Sequence, residues 1–134
     1  MKQEDKELLL RDLCARLPYG VKGMVSRRDH NNRECEFVKT IDGKLYDRFA
    51  VFQESWYDNV TIKPYLFPLS SMTVEQKEEF NTQSLKLQLQ VIDEEIMYEK
   101  ATEFEVDFYN KHHLDWRGLI EKGLAIDCTN LNIY

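Results

Sequence analysis

The chain has 134 residues, of which 43% are hydrophobic and 12% aromatic, and this is enough apolar surface for one folded domain over residues 1–134. A disordered chain would be poorer in both residue classes. The formal net charge of −6 argues against a nucleic-acid-binding protein, which needs a basic surface. Residues 93–107 hold seven acids and one lysine, so the acidity is concentrated there. That segment is either a solvated helix face or a surface that imitates the phosphate charge of DNA.

The N-terminal sequence and the cysteines indicate a cytoplasmic protein. "MKQEDKELLLRDL" mixes acids with apolar residues and has no long apolar run, so it resembles neither a signal peptide nor a membrane anchor. Cys14, Cys35 and Cys128 lie far apart and are expected to be reduced thiols, without the close pairs of a zinc site. No metal or cofactor is expected. Cys14 lies beside the leucines of the first predicted helix, and we expect it to be buried.

The first half of the chain predicts one helix followed by strands. Leucines at helical spacing predict a helix over residues 3–17, which Pro18 ends. Between residues 19 and 62 the pattern favours three or four short antiparallel strands. Asp42-Gly43 separates two of them and is typical of a hairpin turn. These strands would form a small sheet or an SH3-like barrel.

The middle of the chain predicts a connector, a short helix and a strand. Residues 63–72 contain two prolines, which argues against a central strand. Thr73 and Gln76 have the spacing of a capping box and predict a helix over residues 74–80. Residues 85–91 alternate between apolar and polar side chains, which favours a half-buried strand over a helix.

Two helices are predicted at the C-terminal end. Thr102 and Glu105 form another capping-box pattern before an aromatic-rich segment. A last short helix is predicted over residues 116–124. The fold class is therefore α+β: an N-terminal helix, a small antiparallel sheet, and short C-terminal helices packed on it.

The stretch "HHLDWRG" contains the candidate catalytic or metal-binding residues His112, His113 and Asp115. Consecutive histidines on a helix point about 100° apart, unlike the one-face pair of a zinc-binding HExxH helix. A structural interpretation explains more of the residues. Asp115 suits the N-cap of the last helix, and Leu114 and Leu119 have the spacing of a hydrophobic staple. Gly123 would end that helix in a left-handed conformation, with the two histidines in the last turn of the helix before it.

Arg27, Arg28 and Arg33 surround the sequence "DHNN" and are a candidate phosphate-binding hairpin tip. The alternative is a solvated, charged turn, which the acidic total favours.

Three phrases together resemble an uncharacterised family of small proteins from prophages and mobile elements of gut anaerobic bacteria. They are "LLLRDLCARLPYGVKG" (8–23), "IKPYLFPLSSMT" (62–73) and "HHLDWRGLIEKGLAI" (112–126). The resemblance covers about a third of the chain and implies a phage-type accessory protein that acts inside a bacterial cell. It carries over no catalytic residue.

The sequence therefore favours a non-catalytic protein-interaction module whose partner is another protein, with no nucleic acid or membrane involved. The alternative is a small hydrolase or metal-dependent enzyme that uses His112, His113 and Asp115.

Overall fold

A computed structural model describes residues 2–27, 33–41, 44–47, 53–55, 60–90 and 94–134, with side-chain surroundings over 2–26, 34–37, 61–87 and 102–134. The fold is α+β, as predicted, with an N-terminal helix, a small sheet and two long helices after it. The helices are α1 (Gln3–Arg16), α2 (Val74–Gln90) and α3 (Glu94–Lys111). The strands are β1 (Lys22–Arg27), β2 (Arg33–Ile41), β3 (Lys44–Asp47), β4 (Gln53–Ser55), β5 (Val60–Leu66) and β6 (Ile126–Asp127).

Helix α1 forms where its leucines predict it, and Leu9 and Leu13 are fully buried. The chain leaves the helix through a short 3-10 turn over Leu17–Tyr19 that contains Pro18. The expectation that Cys14 is buried is wrong, because its side chain is exposed. The helix spacing places Cys14 one residue beyond Leu13, about 100° from the buried stripe.

The strands form one mixed sheet in the order β4-β3-β2-β1-β5-β6. Strands β2 and β3 are antiparallel, with Ile41 opposite Lys44, so the hairpin predicted around Asp42-Gly43 is confirmed, although the two turn residues lie outside the described part of the chain. The predicted sheet is antiparallel throughout, whereas strand β6 lies parallel to β5. Because β4 and β6 are at opposite ends of the described strand order, the SH3-like barrel is not confirmed.

The prediction that residues 63–72 form only a connector is wrong for their first part. Strand β5 continues to Leu66 and includes Pro64, which lies opposite Gly23 of β1. Proline is tolerated because β6 is only two residues long and pairs with β5 from Tyr65 onward. Pro64 therefore lies before the two-sided part of the strand.

Helix α2 overturns the predicted strand over residues 85–91, because the helix runs from Val74 to Gln90. Its start is as predicted: the Thr73 hydroxyl accepts the Gln76 amide at 3.1 Å, and the Gln76 side chain accepts the Thr73 amide at 3.0 Å. Leucine, lysine and glutamine are good helix formers, so local propensity opposes the strand pattern. The helix divides the alternating leucines between faces, leaving Leu85 56% exposed while Leu87 is half-buried.

Helix α3 packs against α2 through aromatic rings. The Phe80 ring of α2 lies 5.4 Å from that of Phe104 and 5.2 Å from that of Phe108. The aromatic-rich segment is thus helical, as predicted, but the predicted start of the helix is wrong. Because α3 already begins at Glu94, Thr102 lies inside the helix and is exposed rather than acting as a cap.

The core lies between α1, one face of the sheet and the C-terminal segment. Its members are Leu9, Leu13, Val21, Val25, Cys35, Phe37, Ile62, Leu66, Leu119, Leu124 and Ala125. No helix in the described part of the chain combines the length and the apolar character needed to span a membrane.

Candidate functional site

The segment from His112 to Leu124 joins α3 to the C-terminal segment, and it begins with a tight backbone turn at His113. The His113 amide donates to the Asn110 carbonyl at 3.2 Å, and the Leu114 amide donates to the Tyr109 carbonyl at 2.8 Å. These two bonds define a Schellman motif, whose left-handed position usually holds glycine. Here His113 takes it with φ 57°. A non-glycine residue held there stores strain of about 1–3 kcal/mol, which the surroundings must offset.

The surroundings of His113 are an aromatic stack and buried positive charge. The His113 imidazole lies parallel to the Tyr134 ring, with centroids 3.6 Å apart and planes at 8°. Only 9% of the residue is exposed, and Nδ1 is buried without a hydrogen-bond partner. Burial, together with the charges of Arg16, His112 and Lys22, lowers the pKa of His113 to about 4. The imidazole is therefore neutral near pH 7.

The Tyr134 ring is itself fixed by the sheet. Its hydroxyl accepts the Lys22 amide at 2.8 Å and donates to the Tyr65 carbonyl at 3.0 Å. The Lys22 ammonium donates to the Ile133 carbonyl at 3.0 Å and lies 5.7 Å from the Tyr134 ring centroid. The last residues of the chain thus hold His113 near Lys22, the first residue of β1.

We expect the depressed pKa of His113 to make folding stability depend on pH. Unfolding returns the imidazole to its ordinary pKa of 6.5, so between about pH 6.5 and pH 4 the unfolded chain binds more protons than the folded one. Stability must then fall as the pH falls through that window. From pH 7 to pH 5 the loss from His113 should be about 1–2 kcal/mol.

Urea unfolding of the parent and of His113→Asn at the two pH values measures this effect. Asparagine tolerates the left-handed backbone and does not titrate, so the variant should lose less stability on acidification than the parent does. Equal losses in both proteins would show that His113 does not titrate differently in the folded state.

His112 points into different surroundings. Its ring packs on Phe108 with centroids 4.5 Å apart, and its Nε2 lies 3.8 Å from a Glu79 carboxylate oxygen, too far for a hydrogen bond. Burial lowers the pKa of His112, although the Glu79 charge opposes that shift. The two histidines therefore face separate neighbours, His112 towards the α2–α3 pair and His113 towards the C-terminal ring.

Asp115 is buried, with 7% of the residue exposed, and its carboxylate accepts two backbone amides. The Leu119 amide donates to Oδ1 at 2.8 Å and the Ile120 amide donates to Oδ2 at 2.9 Å. Capping by Asp115 is thus present, but the amides lie four and five residues ahead, not at the second or third helical position of an N-cap.

The helix predicted over residues 116–124 is wrong, because the segment forms a single turn. Gly118 has φ 74°, which interrupts any helix that would start at Trp116. A second Schellman motif then ends the turn, with Gly123 at φ 73° and the Leu124 amide bonded to the Leu119 carbonyl at 2.9 Å. The left-handed Gly123 is as predicted. Leu114 and Leu119 are both buried, but the helix that a staple would support is absent from these residues.

Contacts from the sheet and from helix α1 anchor this segment. The Phe67 amide donates to the His113 carbonyl and the Asp115 amide to the Phe67 carbonyl, both at 2.8 Å, so the segment continues the sheet beyond β5. The Arg16 Nη2 donates to the Leu114 carbonyl at 2.7 Å. "HHLD" is therefore a junction between helix α1, the sheet and α3.

Arg16 belongs to a buried ion-pair cluster that the sequence analysis missed. Its Nε and Nη2 donate to the two Asp12 carboxylate oxygens at 2.8 and 3.1 Å, and both side chains are 0% exposed. The Arg117 Nε lies 3.8 Å from the same carboxylate, and its guanidinium covers the Trp116 ring at 4.2 Å. The sequence offered one signal for this pair: Asp12 and Arg16 are four residues apart on a predicted helix, a spacing at which an acid and a base can form an ion pair.

No two of the candidate catalytic side chains point towards the same cavity or could act on the same substrate atom. A pocket of about 260 Å³ opens beside the junction, but neither histidine nor Asp115 is among the residues that line it, which are Phe67, Ser71, Thr73, Gln76, Leu114 and Thr129. Cys128 precedes Thr129, which lines this pocket. Burial raises the pKa of the Cys128 thiol to about 11. Such a thiol is not an activated nucleophile. Within the described ranges, no three His, Cys, Asp or Glu residues lie close enough together to hold a metal ion.

The arginine candidates are placed only in part. Arg27 ends β1 and Arg33 begins β2, on neighbouring antiparallel strands, so both lie at the same end of this strand pair. Arg28 and the side chains of Arg27 and Arg33 lie outside the described part of the structure.

A second surface feature is a shallow, open groove between α2 and α3, the α2–α3 groove. Its volume is about 310 Å³, and its lining residues are Gln83, Leu87, Glu103, Phe104 and Asp107. Leu87 and Phe104 are half-buried and apolar, whereas Glu103 and Asp107 are exposed acids. These two acids belong to the acidic segment 93–107, of which the structure describes side chains from residue 102 onward.

Comparison with known proteins gives no match: no family model, no curated protein and no solved structure is significantly similar to this chain.

Proposed function

We propose that this protein is a non-catalytic protein-interaction module, a phage-type accessory protein that acts in the cytoplasm of a bacterial cell and binds another protein through the α2–α3 groove. The observation that carries the proposal is the groove itself, an apolar floor between two helices with exposed acids at its edge. Exposed apolar surface rimmed by polar residues is where partner proteins bury their anchoring side chains. The resemblance of three phrases to proteins of prophages and mobile elements supports the biological setting.

The contacts of His112, His113 and Asp115 support a non-catalytic role. General acid–base catalysis needs its groups within hydrogen-bond reach of one reacting atom. Here the Asp115 carboxylate holds two backbone amides, His113 stacks on Tyr134, and His112 packs on Phe108. Contacts within the fold account for each side chain separately.

Affinity capture from the bacterial host followed by reconstitution tests the proposal. We expect one protein to co-purify in a fixed ratio with the parent chain and to form the same complex when both components are purified. Failure to reconstitute any captured protein would contradict the interaction function.

The second candidate is a small hydrolase or metal-dependent enzyme using His112, His113 and Asp115. The favouring observations are the left-handed backbone at His113 and the buried, unpartnered His113 Nδ1 and His112 Nε2. Strain and unsatisfied polar atoms concentrate at functional sites. Calorimetric titration with Zn²⁺ separates the candidates: binding of one equivalent by the parent, abolished in His113→Asn, would favour the enzyme.

A further inference from the structure

We propose that the α2–α3 groove binds an arginine-bearing amphipathic helix of the partner protein, an inference that rests on the interaction function proposed above. The groove would receive an arginine side chain whose stem lies on the apolar floor and whose guanidinium meets the acidic edge.

The positions of the lining residues fit a helical partner. Glu103 and Asp107 are four residues apart on α3, so they project from one face and form one edge of the groove. Gln83 and Leu87 have the same spacing on α2, so both lie on the α2 side of the groove. Binding of an amphipathic helix into a groove between two helices is a common mode of peptide recognition.

The floor of the groove is preformed. The Phe104 ring is held by Phe80 and Phe108, whose ring centroids lie 5.4 and 6.0 Å away. A side chain already fixed by such packing loses little conformational entropy when a ligand covers it. The groove therefore needs no rearrangement of this aromatic cluster to accept a partner.

The charge of the groove selects the chemistry of the partner. Its described lining contains two carboxylates and no base. No hydrogen bond or ion pair joins Glu103 or Asp107 to another side chain in the part of the chain that the structure describes, so both carboxylates are available. An acidic ligand or a nucleic-acid backbone would be repelled there.

Arginine fits this lining better than lysine does. The planar guanidinium can stack on the exposed part of the Phe104 ring and donate several hydrogen bonds to a carboxylate. Its three-carbon stem can cover Leu87 while the charge reaches the acidic edge. A lysine would keep the charge but lose the stacking and the bidentate geometry.

Fluorescence anisotropy with a defined peptide tests the proposal. The probe is a labelled amphipathic helix of about 18 residues, with leucines at i, i+3, i+4 and i+7 and arginines beside them. We expect saturable binding to the parent and at least about ten-fold weaker binding to the double variant Glu103→Lys, Asp107→Lys. The same peptide with lysine in place of arginine should bind the parent several-fold more weakly, and with glutamate it should not bind.

The double variant Glu78→Lys, Glu121→Lys is the matched control. Both residues are exposed, neither lines the groove, and the change in net charge is the same. Equal weakening in the two double variants would mean that overall charge attracts the peptide, and absence of binding to the parent at about 1 mM would mean that the groove does not accept it. Either result overturns the inference.

The inference and the interaction function can fail separately. If a reconstituted partner still binds Glu103→Lys, Asp107→Lys with the affinity of the parent, the groove is not its site, but the interaction function stands. If no partner reconstitutes, the interaction function fails whatever the peptide does.

Discussion

Replacing Asp12 with alanine is expected to lower the free energy of unfolding by about 3–5 kcal/mol, the range for removing one partner of a buried ion pair. The Asp12 carboxylate is fully buried and lies against Arg16 at 2.8 Å and Arg117 at 3.8 Å. Without it, the fully buried guanidinium of Arg16 and the mostly buried one of Arg117 lose their counter-charge. Arg16 would also be less constrained to donate to the Leu114 carbonyl, 98 residues away.

Urea unfolding measures the loss, provided that the transition is two-state. Glu4→Ala is the matched control, because Glu4 is an exposed acid on the same helix and its loss should change stability by less than about 1 kcal/mol. The double variant Asp12→Leu, Arg16→Met should recover part of the loss, since apolar side chains remove the buried charges of that pair. A loss below about 1 kcal/mol in Asp12→Ala would contradict the structural role assigned to the carboxylate.

Asp115→Ala is expected to lower the free energy of unfolding by about 2–5 kcal/mol. Two amides, of Leu119 and Ile120, would lose their acceptor in a mostly buried position, and each unsatisfied group costs about 1–3 kcal/mol. This exceeds the loss of about 1 kcal/mol typical of a simple N-cap. Asp115→Asn should lie between alanine and the parent, because its oxygen can accept one amide while its NH₂ group faces the other.

Asp127→Ala is the control for Asp115. Its carboxylate also accepts a backbone amide, from Thr129 at 3.0 Å, but the side chain is exposed and water can replace it. Its loss should therefore stay below about 1 kcal/mol. If Asp115→Ala were as stable as the parent, the carboxylate would be a source of strain and "HHLD" would regain its interest as a catalytic site.

Patterns carried by neighbouring residues predicted much of the fold. The leucine spacing and Pro18 predicted the first helix, and Asp42-Gly43 predicted the β2–β3 hairpin. The capping box predicted from Thr73 and Gln76 is also present. In each case the bonding partners lie within a few residues, so the sequence contains the whole interaction.

Prediction failed where two local patterns competed. The alternation over residues 85–91 favoured a strand, but α2 runs through to Gln90 and tolerates Leu85 at its surface. Alternation records which side chains are apolar, not which of them a neighbouring element covers. Which side of α2 is covered depends on its packing against α3, which lies later in the chain.

The sequence by itself determined the short-range features of the candidate site: a histidine pair at the end of α3, a capping aspartate and a left-handed Gly123. The tertiary structure decided the rest. Arg16 meets the Leu114 carbonyl, Tyr134 meets His113, and Asp115 bonds amides two residues further along than an N-cap does. The physical reason is that a buried polar group must find a partner wherever the fold places one, and a local pattern contains no record of contacts made across the whole chain.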